Sequence, residues 1–155
     1  MTQPMQQRTS ENVGPVVLPT STNADQIAQR ILVIDDERDA ADSVTTLLRQ
    51  LGHTVRQVYD GPSALELAAD FRPQVVLVDL AMPEVDGFEV ARRLRDMDAT
   101  RSARIFALTG HAEKSFREAI AEAVAEGELD GHLLKPVNIH ELSEAIASAH
   151  DPSNS

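Results

Sequence analysis

Three short stretches of the chain are apolar at every position: Ile31-Leu-Val-Ile34, Val75-Val-Leu-Val78 and Ile105-Phe-Ala-Leu108. Strands without polar alternation need cover on both faces, which a parallel sheet between two layers of helices supplies. Between them the period becomes helical. Val44, Leu47, Leu48 and Leu51 fall at i, i+3, i+4 and i+7, and Gly52 stops that first helix. Thr54 to Tyr59 reads as a second strand, and Gly61-Pro62 opens a helix bearing Leu65, Leu67 and Ala68. Proline is harmless there, because the first helical turn has no partner for its N–H. Pro73 breaks the chain before the third strand, Asp86-Gly87 turns into a helix with Val90, Ala91 and Leu94 on one face, and Ile105 to Leu108 is strand four. Helix four runs from Ala112 to about Glu126, strand five from His132 to Leu134 and helix five from Asn138 to Ala149. Right-handed crossovers joining such units predict an α/β fold with five helices around a doubly wound, five-stranded parallel sheet, order 2-1-3-4-5.

The flanks lack this pattern. Residues 1–29 are rich in Gln, Thr, Ser, Asn and Pro, with Val16-Val17-Leu18 as the one apolar cluster, and read as a disordered tail or linker. Residues 151–155 form a second polar tail, leaving one domain over 30–150. With 25 acidic against 14 basic side chains and no Lys/Arg run, the net charge of −11 repels phosphate backbones, so direct nucleic-acid binding is not expected. The absence of cysteine removes disulfides, thiol nucleophiles and Cys-based zinc sites. No apolar run is long enough for a bilayer and no signal-peptide pattern opens the chain, so the expectation is no membrane insertion and a cytoplasmic location.

In doubly wound sheets ligands bind beyond the carboxyl ends of the strands, where the strand order reverses. Strand one ends in Asp35-Asp36, strand three in Asp79, strand four in Thr109 and strand five in Lys135-Pro136. Three carboxylates on one rim repel each other unless a cation neutralises them. Their hard oxygens suit Mg²⁺, which keeps several waters and needs few protein ligands. An attacking carboxylate at such a rim would have the Lys135 ammonium and the Thr109 hydroxyl available to stabilise phosphoryl oxygens. Asp79 is the candidate nucleophile, on the central strand between the acid pair and the Lys/Thr side.

Leu32-Val-Ile-Asp-Asp36, Val76-Leu-Val-Asp-Leu-Ala-Met-Pro-Glu-Val-Asp-Gly87, Ala107-Leu-Thr-Gly110 and Leu134-Lys-Pro136 together resemble the receiver domains of two-component response regulators, a flavodoxin-like fold, over Ile31 to Ala149. The resemblance implies a phosphorelay role in which a histidine kinase or a histidine phosphotransfer protein phosphorylates Asp79. It further implies that Asp35, Asp36, Asp79 and the backbone carbonyl of Ala81 hold Mg²⁺, that Thr109 and Lys135 contact the phosphoryl group, and that the Lys135–Pro136 bond is cis. A receiver is not a turnover enzyme; it catalyses its own phosphorylation and slow dephosphorylation, then presents a changed surface to a downstream protein. Helix four, strand five and helix five would carry that surface, in a monomer or a weak homodimer. No effector domain follows helix five, so the expectation is a stand-alone receiver or one from a hybrid histidine kinase, which the Gly-His-Leu-Leu-Lys-Pro136 wording particularly resembles.

Several positions depart from the family pattern or invite a plainer reading. The switch position on strand five, commonly Tyr or Phe, is His132, which is read as filling an aromatic's slot. The segment from Thr109 to Lys135 is about four residues longer than the family's, close to one helical turn. Ala81 is too small to position a water, whereas His111 has the reach. Asp36 also reads as a cap for helix one, Glu37 and Asp39 as its solvated first turn, Gly87 and Gly110 as turn residues, Met82-Pro83 as loop packing, and His53, His140 and His150 as surface positions. A flavodoxin-type cofactor binder would need a Ser/Thr/Gly cradle where this chain has Asp35-Asp36-Glu37, and a phosphatase of the aspartyl type would want an acid at Ala81. The remaining alternative is a receiver-like interaction module that works without phosphorylation.

Overall fold

Each all-apolar run becomes an interior strand. A computed structural model of the chain describes residues 28–82, 86–110 and 114–150. The expected tails, apart from residues 28 and 29, lie outside these residues, as do Pro83 and His111. The chain runs β1 (Arg30–Ile34), α1 (Arg38–Gln50), β2 (Thr54–Val58), α2 (Gly61–Phe71), β3 (Val75–Asp79), α3 (Gly87–Asp96), β4 (Arg104–Thr109), α4 (Lys114–Ala125), β5 (Gly131–Leu134) and α5 (Ile139–His150). All four strand pairings are parallel, in the order β2-β1-β3-β4-β5.

The sheet divides the core in two. Ile31, Val33, Val75, Leu77, Phe106 and Leu108 point to the face covered by α1 and α5, through Ala41, Val44, Leu48, Leu142 and Ile146. Leu32, Ile34, Val76, Val78, Ile105 and Ala107 point to the opposite face, covered by Ala64 and Ala68 of α2, Val90 and Leu94 of α3 and Ile120 and Ala123 of α4. Successive residues of one strand thus serve different layers, which is why residues 31–34 of β1 and 75–78 of β3 are all apolar. The edge strands β2 and β5 do alternate with exposed positions.

Helix ends carry local chemistry. Asp60 caps α2, its Oδ1 accepting from the Ser63 N–H at 2.7 Å, with proline in the first turn. Asp86 caps α3 in the same way through Phe88 N–H at 2.9 Å. The cap of α1 is not Asp36 but Glu37, whose side chain makes no capping bond. Asp36 sits one residue too early, in the turn where the chain leaves β1, so its carboxylate stays at the sheet edge.

Candidate functional site

Four strand ends meet on the carboxyl edge of the sheet. β1 and β3 are neighbours and run in register from Ile31 opposite Val75 to Ile34 opposite Val78, so the next residues, Asp35 and Asp79, stand side by side at the carboxyl edge. Carboxylate oxygens of Asp35, Asp36 and Asp79 all lie within 4.8 Å of one another. Asp35 is fully buried, Asp79 is 4% exposed and Asp36 is open to solvent. Thr109, at the end of β4, is buried, and its carbonyl accepts the Lys135 N–H at 2.9 Å, which fixes where the chain leaves β5.

Lys135 then reaches back across two strands. Its Nζ lies 2.8 Å from Asp35 Oδ2, 3.4 Å from Asp79 Oδ2 and 3.8 Å from Glu37 Oε1. Burial pushes the Asp35 carboxyl above its ordinary range; Lys135 and the Glu37 N–H, which donates to Asp35 Oδ1 at 3.0 Å, oppose that, while the Asp79 charge adds to it. For Lys135, burial works against the ammonium, but Asp35 and Asp79 together outweigh it and move its pKa up. The lysine therefore stays a cation at neutral pH. It is one positive charge against three carboxylates of the rim, and Glu37 adds a fourth. The excess negative charge, the all-oxygen donor set and the absence of His or Cys in this cluster suit a hard divalent cation.

Asp79 itself is held from behind. Its Oδ1 accepts the Ala81 N–H at 3.1 Å, which sets the rotation of the carboxylate. Gly87, a turn residue by its sequence context, is in the fold a close-approach residue. A Cβ there would stand 2.6 Å from the Asp79 carbonyl oxygen and 2.7 Å from Leu80 Cα. The first turn of α3 thus presses directly on the backbone that carries Asp79. The Lys135–Pro136 bond is cis.

The chain belongs to the response regulator receiver family. The receiver-domain family model matches residues 31–147. The response regulator MprA of Mycobacterium ulcerans is 37% identical over 115 residues, which is 73% of this chain and 46% of that protein, so the chain spans about half the length of the curated relatives it matches. Among solved structures, the chemotaxis response regulator CheY4 of Vibrio cholerae superposes with a TM-score of 0.69 at 26% identity, covering 79% of this chain and 99% of that one. The receiver domain of the sensor histidine kinase PA1611 of Pseudomonas aeruginosa PAO1, solved with a magnesium ion coordinated in its active-site cleft, gives a TM-score of 0.68 at 29% identity, covering 79% and 97%. The chain is accordingly a signalling module of two-component systems with the flavodoxin-like receiver fold.

The remaining positions sort by where this receiver fold puts them. His132 is exposed on β5 and lines a groove with Phe106, Leu133, Leu134 and, from α5, Glu141 and Glu144. Glu37, read only as solvated, also faces Lys135; its spacing two residues beyond Asp35 was the signal for that. His140 lies on the surface beside Glu144, as read. His53 does not: it is 6% exposed, because Gly52, at φ +98°, turns the chain under the end of α1 and tucks the next side chain inward. Among the described residues no helix is long and apolar enough to cross a membrane.

Proposed function

We propose that this receiver takes a phosphoryl group from a phosphohistidine donor, a histidine kinase or a histidine phosphotransfer protein, onto Asp79. The juxtaposition of Asp35, Asp36 and Asp79 with Lys135 at adjacent strand ends carries this reading. A carboxylate oxygen of Asp79 attacks the phosphorus, the O–P bond forms as the P–N bond breaks, and the donor imidazole leaves with the electron pair of that bond. Asp35, Asp36, Asp79 and the Ala81 carbonyl would hold Mg²⁺, which supplies charge neutralisation on the transferring oxygens. Ala81 N–H orients the acceptor carboxylate, Lys135 offers its ammonium to a phosphoryl oxygen, and the Thr109 hydroxyl offers a hydrogen bond to another.

The output is a surface change around α4, β5 and α5, read by a downstream protein in the cytoplasm. The exposure of Leu134 (52%), Ile139 (42%) and Val124 (39%) on those elements supports that choice of face. A receiver of this kind acts as a monomer or a weak homodimer through the same face, with His132 at its switch position. Intact-protein mass spectrometry after incubation with a small-molecule phosphodonor, with and without Mg²⁺, tests the reading beside Asp79→Asn. A Mg²⁺-dependent gain of one phosphoryl group, lost in the variant, is the expected result. No gain together with no Mg²⁺ binding would replace it with an interaction module that does not use phosphate.

A further inference from the structure

At the opposite edge of the sheet from the acid cluster, Gln29 binds the fold through both its backbone groups and its side-chain amide. It is 4% exposed; its N–H donates to His53 Nδ1 at 3.0 Å, its C=O accepts from Thr54 N–H at 3.0 Å, and its side-chain Nε2 donates to the Ile146 carbonyl at 3.2 Å. One residue therefore ties the start of β1 to β2 and to the second half of α5. His53 is fixed in turn by its own N–H, which donates to the Leu48 carbonyl at 3.2 Å. An imidazole that accepts at Nδ1 carries its proton on Nε2 and is neutral. A second proton would place an N–H donor against the Gln29 N–H, and that bond cannot survive it.

The charged groups of the neighbouring elements have partners of their own. Arg49 at the end of α1 donates to the Val55 carbonyl at 2.9 Å, Arg30 of β1 donates to the carbonyls of Phe71 and Arg72, and Arg56 of β2 stacks on Phe71. On α5, Glu144 lies 3.3 Å from His140 on the outer face, with Glu141 exposed beside the β5 groove. Burial acts on His53 in the same direction, favouring the neutral ring.

We propose that His53, Gln29 and Ile146 form a proton-released clasp, in which neutral His53 holds the Gln29 backbone to the turn between α1 and β2 while the Gln29 side chain reaches α5, and protonation of His53 releases the Gln29 N–H. The clasp shares no residue with the acid cluster and stands whether or not Asp79 is phosphorylated. Amide hydrogen exchange and imidazole titration by NMR on the full chain, between pH 7.5 and 5.5, test it beside His53→Asn, whose Oδ1 replaces the Nδ1 acceptor but does not titrate. Expected is a Gln29 protection factor that falls by up to about tenfold per pH unit below the His53 midpoint, itself under the ordinary value of about 6.5. In His53→Asn that protection should stay within about twofold over the same range. Gln29 protection that ignores the His53 titration, or the same pH profile in His53→Asn, would overturn the clasp. Should the variant fail to fold, the two wild-type curves decide: coincident midpoints support the clasp and separated ones remove it.

Discussion

Lys135 Nζ sits 2.8 Å from Asp35 Oδ2, an oxygen of a side chain with almost no solvent access. A buried carboxylate stripped of its cation is costly, typically several kcal/mol. Lys135→Met should therefore lower stability by about 2–4 kcal/mol in the absence of Mg²⁺. Added Mg²⁺ should raise the melting temperature of the variant more than that of the parent, because the ion replaces the missing charge. Thermal denaturation with and without Mg²⁺ reads both effects, and Asp35→Asn in the same background should recover much of the loss. Equal Mg²⁺ responses in parent and variant would separate the lysine from the acid cluster.

Gly87→Ala sets two effects against each other. Alanine is the better helix former by about 0.5–1 kcal/mol. Against that, the new methyl meets the Asp79 carbonyl oxygen at 2.6 Å and Leu80 Cα at 2.7 Å, backbone atoms that cannot swing aside. The clash should win, with a net cost of about 1–3 kcal/mol in chemical denaturation and a slower phosphoryl gain at Asp79. Gly110→Ala is the control: among the described residues, its chain neighbours aside, nothing lies within 4 Å of the added carbon, and the expected stability change is within about 0.5 kcal/mol.

Asp60 supplies a pH-dependent prediction. Its bond to the Ser63 N–H holds the carboxyl below the usual carboxylate range. A group whose pKa is lower folded than unfolded stabilises the protein above its unfolded value and loses that contribution as pH falls through the folded one. Asp60→Ala should cost about 1 kcal/mol near pH 7, as loss of a helix cap does. That difference should shrink below about pH 4, whereas Asp60→Asn, a neutral cap, should lack this pH-dependent part. Urea denaturation of the three proteins across that range separates the capping bond from the charge.

Thr45 faces the core from α1, 2% exposed, and its hydroxyl has no hydrogen-bond partner among the described residues. Valine keeps the shape and removes the desolvated hydroxyl, so Thr45→Val should raise stability by about 0.5–1 kcal/mol. A loss on denaturation would mean the hydroxyl is satisfied in solution.

Much of this was legible because two signals are local. The all-apolar runs mark interior strands of a parallel sheet, and the handedness of crossovers then places Asp35, Asp36, Asp79, Thr109 and Lys135 on one edge before any coordinates exist. What escaped depends on contacts distant in sequence. Nothing near Arg95 announces that its guanidinium reaches Asp130 at 2.6 Å, across 35 residues. His53 follows a glycine after a helix, which reads as a surface turn, and only its bond from Gln29, 24 residues earlier, and its burial show it to be inside. Gly87 looks like any turn glycine until the carbonyl beside it is located. Asp36 was misread as a cap because helix starts blur by a residue or two, a shift that separates a cap from a site residue.

The strand order also sets when the site comes into being. The carboxylates share one edge as soon as β1 and β3 pair, but the lysine that faces them directly follows β5, the last of the five strands in sequence and one of the sheet's two edge strands. During synthesis the acids leave the ribosome well ahead of Lys135, and the repulsion among them goes unanswered until β5 docks against β4. Closing the sheet and completing the site are one event, so an unfinished chain holds the acid cluster without its lysine.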